Sequence, residues 1–202
     1  MAPRFIARQL ARPSGPMGAV IRFMMNCHNA RMNAFTLSEL KLAPTDHVLE
    51  IGFGGGLTLP SLLDATAFVT GLDRSSDVIA WAKRRFATHI SSGRANFHHG
   101  NVEALPFGAA IFDKVCTVNT IYFWTSLEAG FAEIYRVLKP RGRIAVGFLP
   151  KERMDRMGMP EDIFTTRAPL DVVGAMTKAG FSNVLIARPE PHTPWNVVMA
   201  TR

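Results

Sequence analysis

The run HVLEIGFGGGLTLPSLL, His47 to Leu63, decides how this chain is read. It opens as an apolar strand pattern, His47 to Phe53, and continues as a helical pattern over GLTLPSLLDAT, with the helix expected to open near Leu57. Between the two stand Gly52, Gly54 and Gly56 at alternate positions. Glycine accepts positive φ and lets backbone approach a ligand closely, so the bend is a candidate binding loop as well as a turn. The dinucleotide fingerprint is G-x-G-x-x-G. Counted from Gly52, its last glycine falls on Leu57, so the spacing here is G-x-G-x-G instead. Glu50 ends the strand two residues before Gly52. A carboxylate there repels a pyrophosphate and suits a ligand carrying positive charge. The bend therefore favours a cationic nucleoside over a dinucleotide.

Outward from the bend, apolar runs alternate with amphipathic helical patterns. AFVTGLD (Ala67 to Asp73), ANFHHG (Ala95 to Gly100), part of FDKVCTVNTIYFW (Phe112 to Trp124) and RIAVGFL (Arg143 to Leu149) read as further strands. SSDVIAWAKRRFATHI reads as a helix, with Val78, Ile79, Ala82 and Phe86 on its apolar face. SLEAGFAEIYRVL is a helix stopped by KPRG, and PLDVVGAMTKAG is one closed by Gly180. FSNVLIARPE and WNVVMATR have only a Pro-rich turn between them, so they pair as a hairpin and one terminal strand runs antiparallel. The whole predicts an α/β fold: a seven-stranded, mostly parallel sheet with helices on both faces. Residues 46–202 form that domain. Residues 1–45 continue a helical pattern straight into the first strand and read as a helical cap over the site, within the same domain. Arg4, Arg8, Arg12, Arg22 and Arg31 all precede the first carboxylate, Glu39. That composition also suits a mitochondrial transit peptide, but the unbroken helical pattern favours the cap.

Composition narrows the class. The chain has 202 residues, enough for one domain with a full core. No apolar run approaches the ~18 residues that cross a bilayer. The two cysteines, Cys27 and Cys116, sit in no CxxC pattern and fit a reducing cytoplasm. A net charge of +7 invites a nucleic-acid reading. The basic residues are scattered, however, and no aromatic residues interleave with KRR or KPRGR as a stacking platform. No carboxylate or histidine cluster has metal-ligand spacing.

Further site candidates follow from the alternation. In open sheets of this kind ligands bind beyond the carboxyl ends of the strands, where the strand order reverses. Asp73 ends the second strand, followed by Arg74, and a carboxylate there can accept both hydroxyls of a ribose. Its competing role is to cap the helix that follows. Asn101 and Val102, in HHGNVEALPF, lie where a loop passes over an adenine ring. Asn119 and Thr120 line the exit of the fourth strand.

Taken in order and at this spacing, LEIGFGGG, GLDRSSDVIAWAKRR, GNVEALPF…FDKVCTVNTIYFW and EIYRVLKPRGRIAVGF resemble the class I S-adenosylmethionine-dependent methyltransferases. The nearest group in character is the broad small-molecule one that is similar to the ubiquinone and menaquinone methylases. The resemblance covers about Val48 to Phe148 and implies a Rossmann-like fold with S-adenosyl-L-methionine as cofactor. The acid-x-G-x-G-x-G motif maps onto Glu50, Gly52, Gly54 and Gly56, the ribose acid onto Asp73, and the adenine loop onto Asn101 and Val102. The family usually has aspartate where Asn101 stands; asparagine keeps an acceptor, which implies somewhat weaker binding. The resemblance also implies a partner for the cofactor's carboxylate near the cap.

The expected reaction is methyl transfer to a small molecule by direct displacement, in which alignment does most of the work. Acid–base candidates are His28 on the cap, His98 or His99 on the third strand, and Tyr122. Met17, Met24, Met25 and Met32, with Met154, Met157 and Met159, flank the expected mouth and suggest an apolar or aromatic acceptor. The same cofactor motifs also suit a cyclase or a binding protein that does not methylate. A nucleic-acid or protein methyltransferase is disfavoured, because NTIY stands where N-P-P-Y or D-P-P-Y would be expected.

Overall fold

In the computed structural model, which describes residues 4–11 and 15–202, strand and helix alternate as the periodicity predicts. The side chains of residues 16, 19 and 21–28 lie outside the description, and with them His28, Met24 and Met25. The chain begins with α1 (Arg4–Ala11) and the long α2 (Gly15–Leu40). It continues through β1 (His47–Ile51), α3 (Leu59–Ala65), β2 (Phe68–Asp73), α4 (Ser76–Arg85), α5 (Ala87–Ser91) and β3 (Ala95–His99). The second half holds β4 (Phe112–Val118), α6 (Leu127–Val137), β5 (Leu138–Phe148), α7 (Lys151–Arg156), α8 (Pro169–Lys178), β6 (Ser182–Ala187) and β7 (Asn196–Thr201).

The seven strands lie in the order β3-β2-β1-β4-β5-β7-β6. The first five pair in parallel, while β7 runs antiparallel to both β5 and β6. From β1 the chain steps outward to β2 and β3, then returns to the other side of β1 with β4. The reversal point is therefore between β1 and β4, where a ligand cleft is expected.

Period-two alternation divides the core between the two faces. Val115, Ile144 and Val146 join a cluster with Phe131 and Ile134 of α6 and Val172 and Met176 of α8. Their strand neighbours Cys116 and Ala145 face the other way, with Leu62, Val78 and Phe97. Burying one such large side chain contributes roughly 1.5–3 kcal/mol. The second half of α2 lies on this second face. Gly147 of β5 makes that approach possible: a Cβ there would stand 2.5 Å from Thr36 Oγ1.

Three local readings change. The helix expected near Leu57 opens at Leu59, with Thr58 at its N-cap position and the Thr58 hydroxyl donating to Glu50 rather than accepting from the helix amides. KPRG does stop α6, but it also belongs to β5, which bulges against β4 and holds Arg141 at φ 65°. The segment between β5 and α8 contains α7, which the periodicity did not predict.

Candidate functional site

Val48, Leu49 and Ile51 anchor β1 in the core, and the same strand carries Glu50 into it, 5% exposed. The chain then leaves the sheet through the glycine bend. Gly52, Gly54 and Gly56 all hold positive φ, at 70°, 48° and 65°. The Gly52 amide donates to Leu72 O at 2.7 Å, and the Gly56 amide to Phe53 O at 2.7 Å.

Asp73, at the end of β2, holds the bend from the side. Its Oδ2 accepts from the Gly54 amide at 3.0 Å, and its Oδ1 from the Ser75 amide at 2.9 Å. Burial pushes the Asp73 carboxyl above its ordinary value, with those two amides opposing the shift. The competing role for Asp73 is filled by another residue: Ser75 caps α4, accepting from the Val78 amide at 3.4 Å.

Across the bend, Asn119 follows β4 at φ 57°. Its side chain donates to Asn29 Oδ1 of α2 at 3.0 Å and accepts from the Tyr122 hydroxyl at 3.0 Å. Thr117 Oγ1 bridges to Ile51 O at 2.9 Å and also pairs with Thr120 Oγ1. The ends of β1 and β4 are thus cross-linked directly below the bend.

A cleft of about 410 Å³ opens between these elements, within the range of small-molecule sites. Gly52, Gly54, Asp73, Arg74, His99, Asn101, Val102 and Asn119 all line it, so the structure brings most of the sequence candidates together. Asn101 is exposed, and its Oδ1 accepts from the Glu103 amide at 3.3 Å. His99 stands beside Arg74, Nε2 to Arg74 O at 3.1 Å, at the β2–β3 end. Gly56 is not on the wall; a Cβ there would meet the Trp81 ring at 2.8 Å, so its task is the turn.

Tyr122 does not line the cleft either. It is 3% exposed, and its oxygen accepts from the Leu149 amide at 2.6 Å while its proton faces Asn119 and Leu149 O. Burial raises the phenol far above its ordinary value. The described methionines also fall elsewhere: Met32 and Met154 are core, Met159 packs half-buried against it, and Met17 and Met157 are exposed. The large apolar side chains on the wall include Leu10, Phe123 and Trp124 instead.

A second, smaller cavity of about 40 Å³ lies on the far side of the bend, lined by Asn29, Asn33, Glu50, Gly52, Gly54 and Thr58, among others. Glu50 Oε1 accepts from the Thr58 hydroxyl, while the buried Oε2 has no partner. Burial drives the Glu50 carboxyl up to about 7, against the Thr58 hydrogen bond and with the Asp73 charge adding to the rise. Asn29 and Asn33 were missed in the sequence. Their signal is two amides four residues apart, on one face of a helix.

Glu50 has a consequence for stability. The native chain keeps this proton to a higher pH than the unfolded chain, so stability falls as pH rises from about 4.5 to about 7. At ~1.4 kcal/mol per unit the full loss is roughly 3 kcal/mol. Glu50→Gln removes the charge. The ligand-free variant should melt above the wild type beyond pH ~7 and converge with it as pH falls toward ~4.5. A gap independent of pH would show that Glu50 is not the titrating group.

Residues 49–146 match a protein family described as "Methyltransferase domain". The chain is 30% identical over 132 residues to "Uncharacterized methyltransferase YdaC" of Bacillus subtilis, covering 64% of this chain and 71% of that one. It is 29% identical over 115 residues to the ubiquinone/menaquinone biosynthesis C-methyltransferase UbiE of Geotalea daltonii, covering 55% of this chain and 49%, about half, of that relative. The fold is similar to that of geranyl diphosphate methyltransferase in complex with GPP and sinefungin. That likeness has a TM-score of 0.71 at 15% identity and covers 86% of this chain and 78% of the other.

Proposed function

This chain belongs to the class I S-adenosylmethionine-dependent methyltransferases, and on that premise we propose that it methylates an apolar or aromatic small molecule held in the large cleft. One observation carries the assignment of the cofactor's ends. Two buried carboxylates flank a single glycine bend, and one of them, Glu50, keeps an unpartnered oxygen beside a small cavity. That oxygen fits the ammonium of an amino-acid tail. Asn29, Asn33 and the bend's amides suit the tail's carboxylate. Asp73 suits the ribose hydroxyls, and Val102 and Asn101 the adenine.

Bound S-adenosylmethionine supplies a sulfonium methyl group that is already a strong electrophile. The chain's own residues then have to hold the acceptor in line and keep water out. Leu10, Phe123 and Trp124 provide apolar wall surface for this. Phe123 is itself braced by Phe164, ring centroids 4.9 Å apart. We assign Tyr122 to positioning: its hydroxyl fixes Asn119, which in turn is tied to α2. No proton is routed through it. His99 stands at the ribose end of the cleft, next to Arg74, which suits the cofactor better than the acceptor.

Calorimetric titration with S-adenosylhomocysteine and, separately, with NADH tests the reading. Binding of the first alone is expected. The wild-type affinity should weaken as pH falls below ~7, where Glu50 takes up its proton, and Glu50→Gln should bind weakly with no such dependence. Binding of NADH, or of neither ligand, overturns the assignment.

A further inference from the structure

Helix α1 has two faces with different tasks. Ala7 is fully buried, and Leu10 and Ala11 line the large cleft. This i, i+3, i+4 spacing is one side of a helix. On the rest of the helix Phe5 is 57% exposed, Ile6 40% exposed, and Arg8 is exposed as well. Met17 and Val20, at the start of α2, are 48% and 54% exposed. Half of the exposed large apolar side chains among the described residues therefore gather between positions 5 and 20, on α1, which walls the cleft, and on the start of α2.

The charge of the same segment is one-sided. Five arginines and no carboxylate precede Glu39. Arg4 is committed to Asp162 at 2.7 Å, and Arg31 lies 3.9 Å from Glu190. The segment itself carries no acid beside Arg8, Arg12 and Arg22. Asp162, which holds Arg4, also feels the charge of Arg8, and this one carboxylate is shared between the two arginines. Exposed phenylalanine and isoleucine beside arginine, on an acid-free helix, is the chemistry of a segment lying in the headgroup–acyl boundary of a membrane. Anionic lipids supply the complementary charge. A nucleic acid would answer the arginines but would leave Phe5 and Ile6 without a partner.

We propose that the exposed face of α1 and the start of α2 dock on an anionic bilayer surface. The helix whose other side forms the wall of the cleft then rests on the lipid. An apolar acceptor dissolved in the membrane reaches Leu10 without crossing bulk water. The docking is independent of the methyl-transfer reading; only this delivery step rests on it.

Co-sedimentation of the full chain tests the proposal, with vesicles of phosphatidylcholine alone and of phosphatidylcholine mixed with phosphatidylglycerol. The wild type is expected on the mixed vesicles and not on the neutral ones. Phe5→Ser/Ile6→Ser should lose most of this binding. Arg8→Glu reverses one charge and should weaken it by at least about fivefold. Both changes are on exposed positions, and an unchanged S-adenosylhomocysteine titration or circular dichroism spectrum confirms that the fold is kept. Absence of the wild type from the mixed vesicles overturns the proposal. So does binding that is indifferent to Phe5 and Ile6, which would be the response of a generally cationic surface. Stronger retention by RNA than by mixed vesicles, equal in the wild type and the double variant, overturns it in favour of a nucleic acid.

Discussion

Asp73→Ala should weaken S-adenosylhomocysteine binding by ~100-fold or more, since hydrogen bonds to a charged group contribute about 1.5–3 kcal/mol each. Two effects combine in that loss. The first is direct: the carboxylate at the end of β2 lines the cleft and suits the ribose hydroxyls. The second acts through the bend, because the same carboxylate accepts from the amides of Gly54 and Ser75. Removing it orphans both amides and loosens the loop that forms the opposite wall. A ligand change separates the two. The analogue lacking the ribose 2′-hydroxyl should bind the wild type less well than the parent. Asp73→Ala should scarcely distinguish parent from analogue. If the variant still penalises the analogue as strongly as the wild type does, Asp73 only supports the loop. Asp73→Asn keeps one acceptor oxygen and should fall between the two.

The part of this site that could be read in the sequence is the part built from neighbours in the chain. Glu50, the glycines and Asp73 each follow directly from a strand end, and a strand end in an alternating fold has a known place. The cleft's other wall is assembled at long range. Leu10 comes from α1, while Asn29 and Asn33, which line the small cavity rather than the cleft, come from α2, which reaches the sheet because Gly147 lets Thr36 approach. No local periodicity reports such a contact. Tyr122 shows the opposite failure. Its position after β4 pointed to the cleft, yet the short turn at Ile121–Phe123 buries it and leaves Phe123 and Trp124 on the wall. The helix expected near Leu57 begins two residues later, at Leu59, and its N-cap residue Thr58 gives its hydroxyl to Glu50 rather than accepting from the helix amides. Local rules fail here where a side chain is claimed by a long-range contact instead of by its own element.

Gly52→Ala should strongly disrupt both stability and binding. The residue holds φ 70°, and its Cβ would stand 2.4 Å from Thr120 Cγ2. The left-handed backbone alone costs an alanine roughly 1–2 kcal/mol. Overpacking adds about 1–3 kcal/mol more. Thr120 has little room to yield, because its hydroxyl is engaged with Thr117, whose own oxygen donates to Ile51 O. The strain is therefore passed into the junction of β1 and β4. Gly52 lines both the large cleft and the small cavity, so ligand binding should fall with stability. Thr120→Ser removes the clashing methyl and keeps the hydroxyl. In a double-mutant cycle read by thermal melts, Gly52→Ala/Thr120→Ser should recover the packing part of the loss, roughly 1–3 kcal/mol, and leave the backbone part. Additive losses would mean that Thr120 yields freely and that backbone strain alone limits the bend. Full recovery would mean that the positive φ costs nothing there. Partial recovery is the outcome that makes the end of β4, as much as the glycines themselves, the mould for the loop.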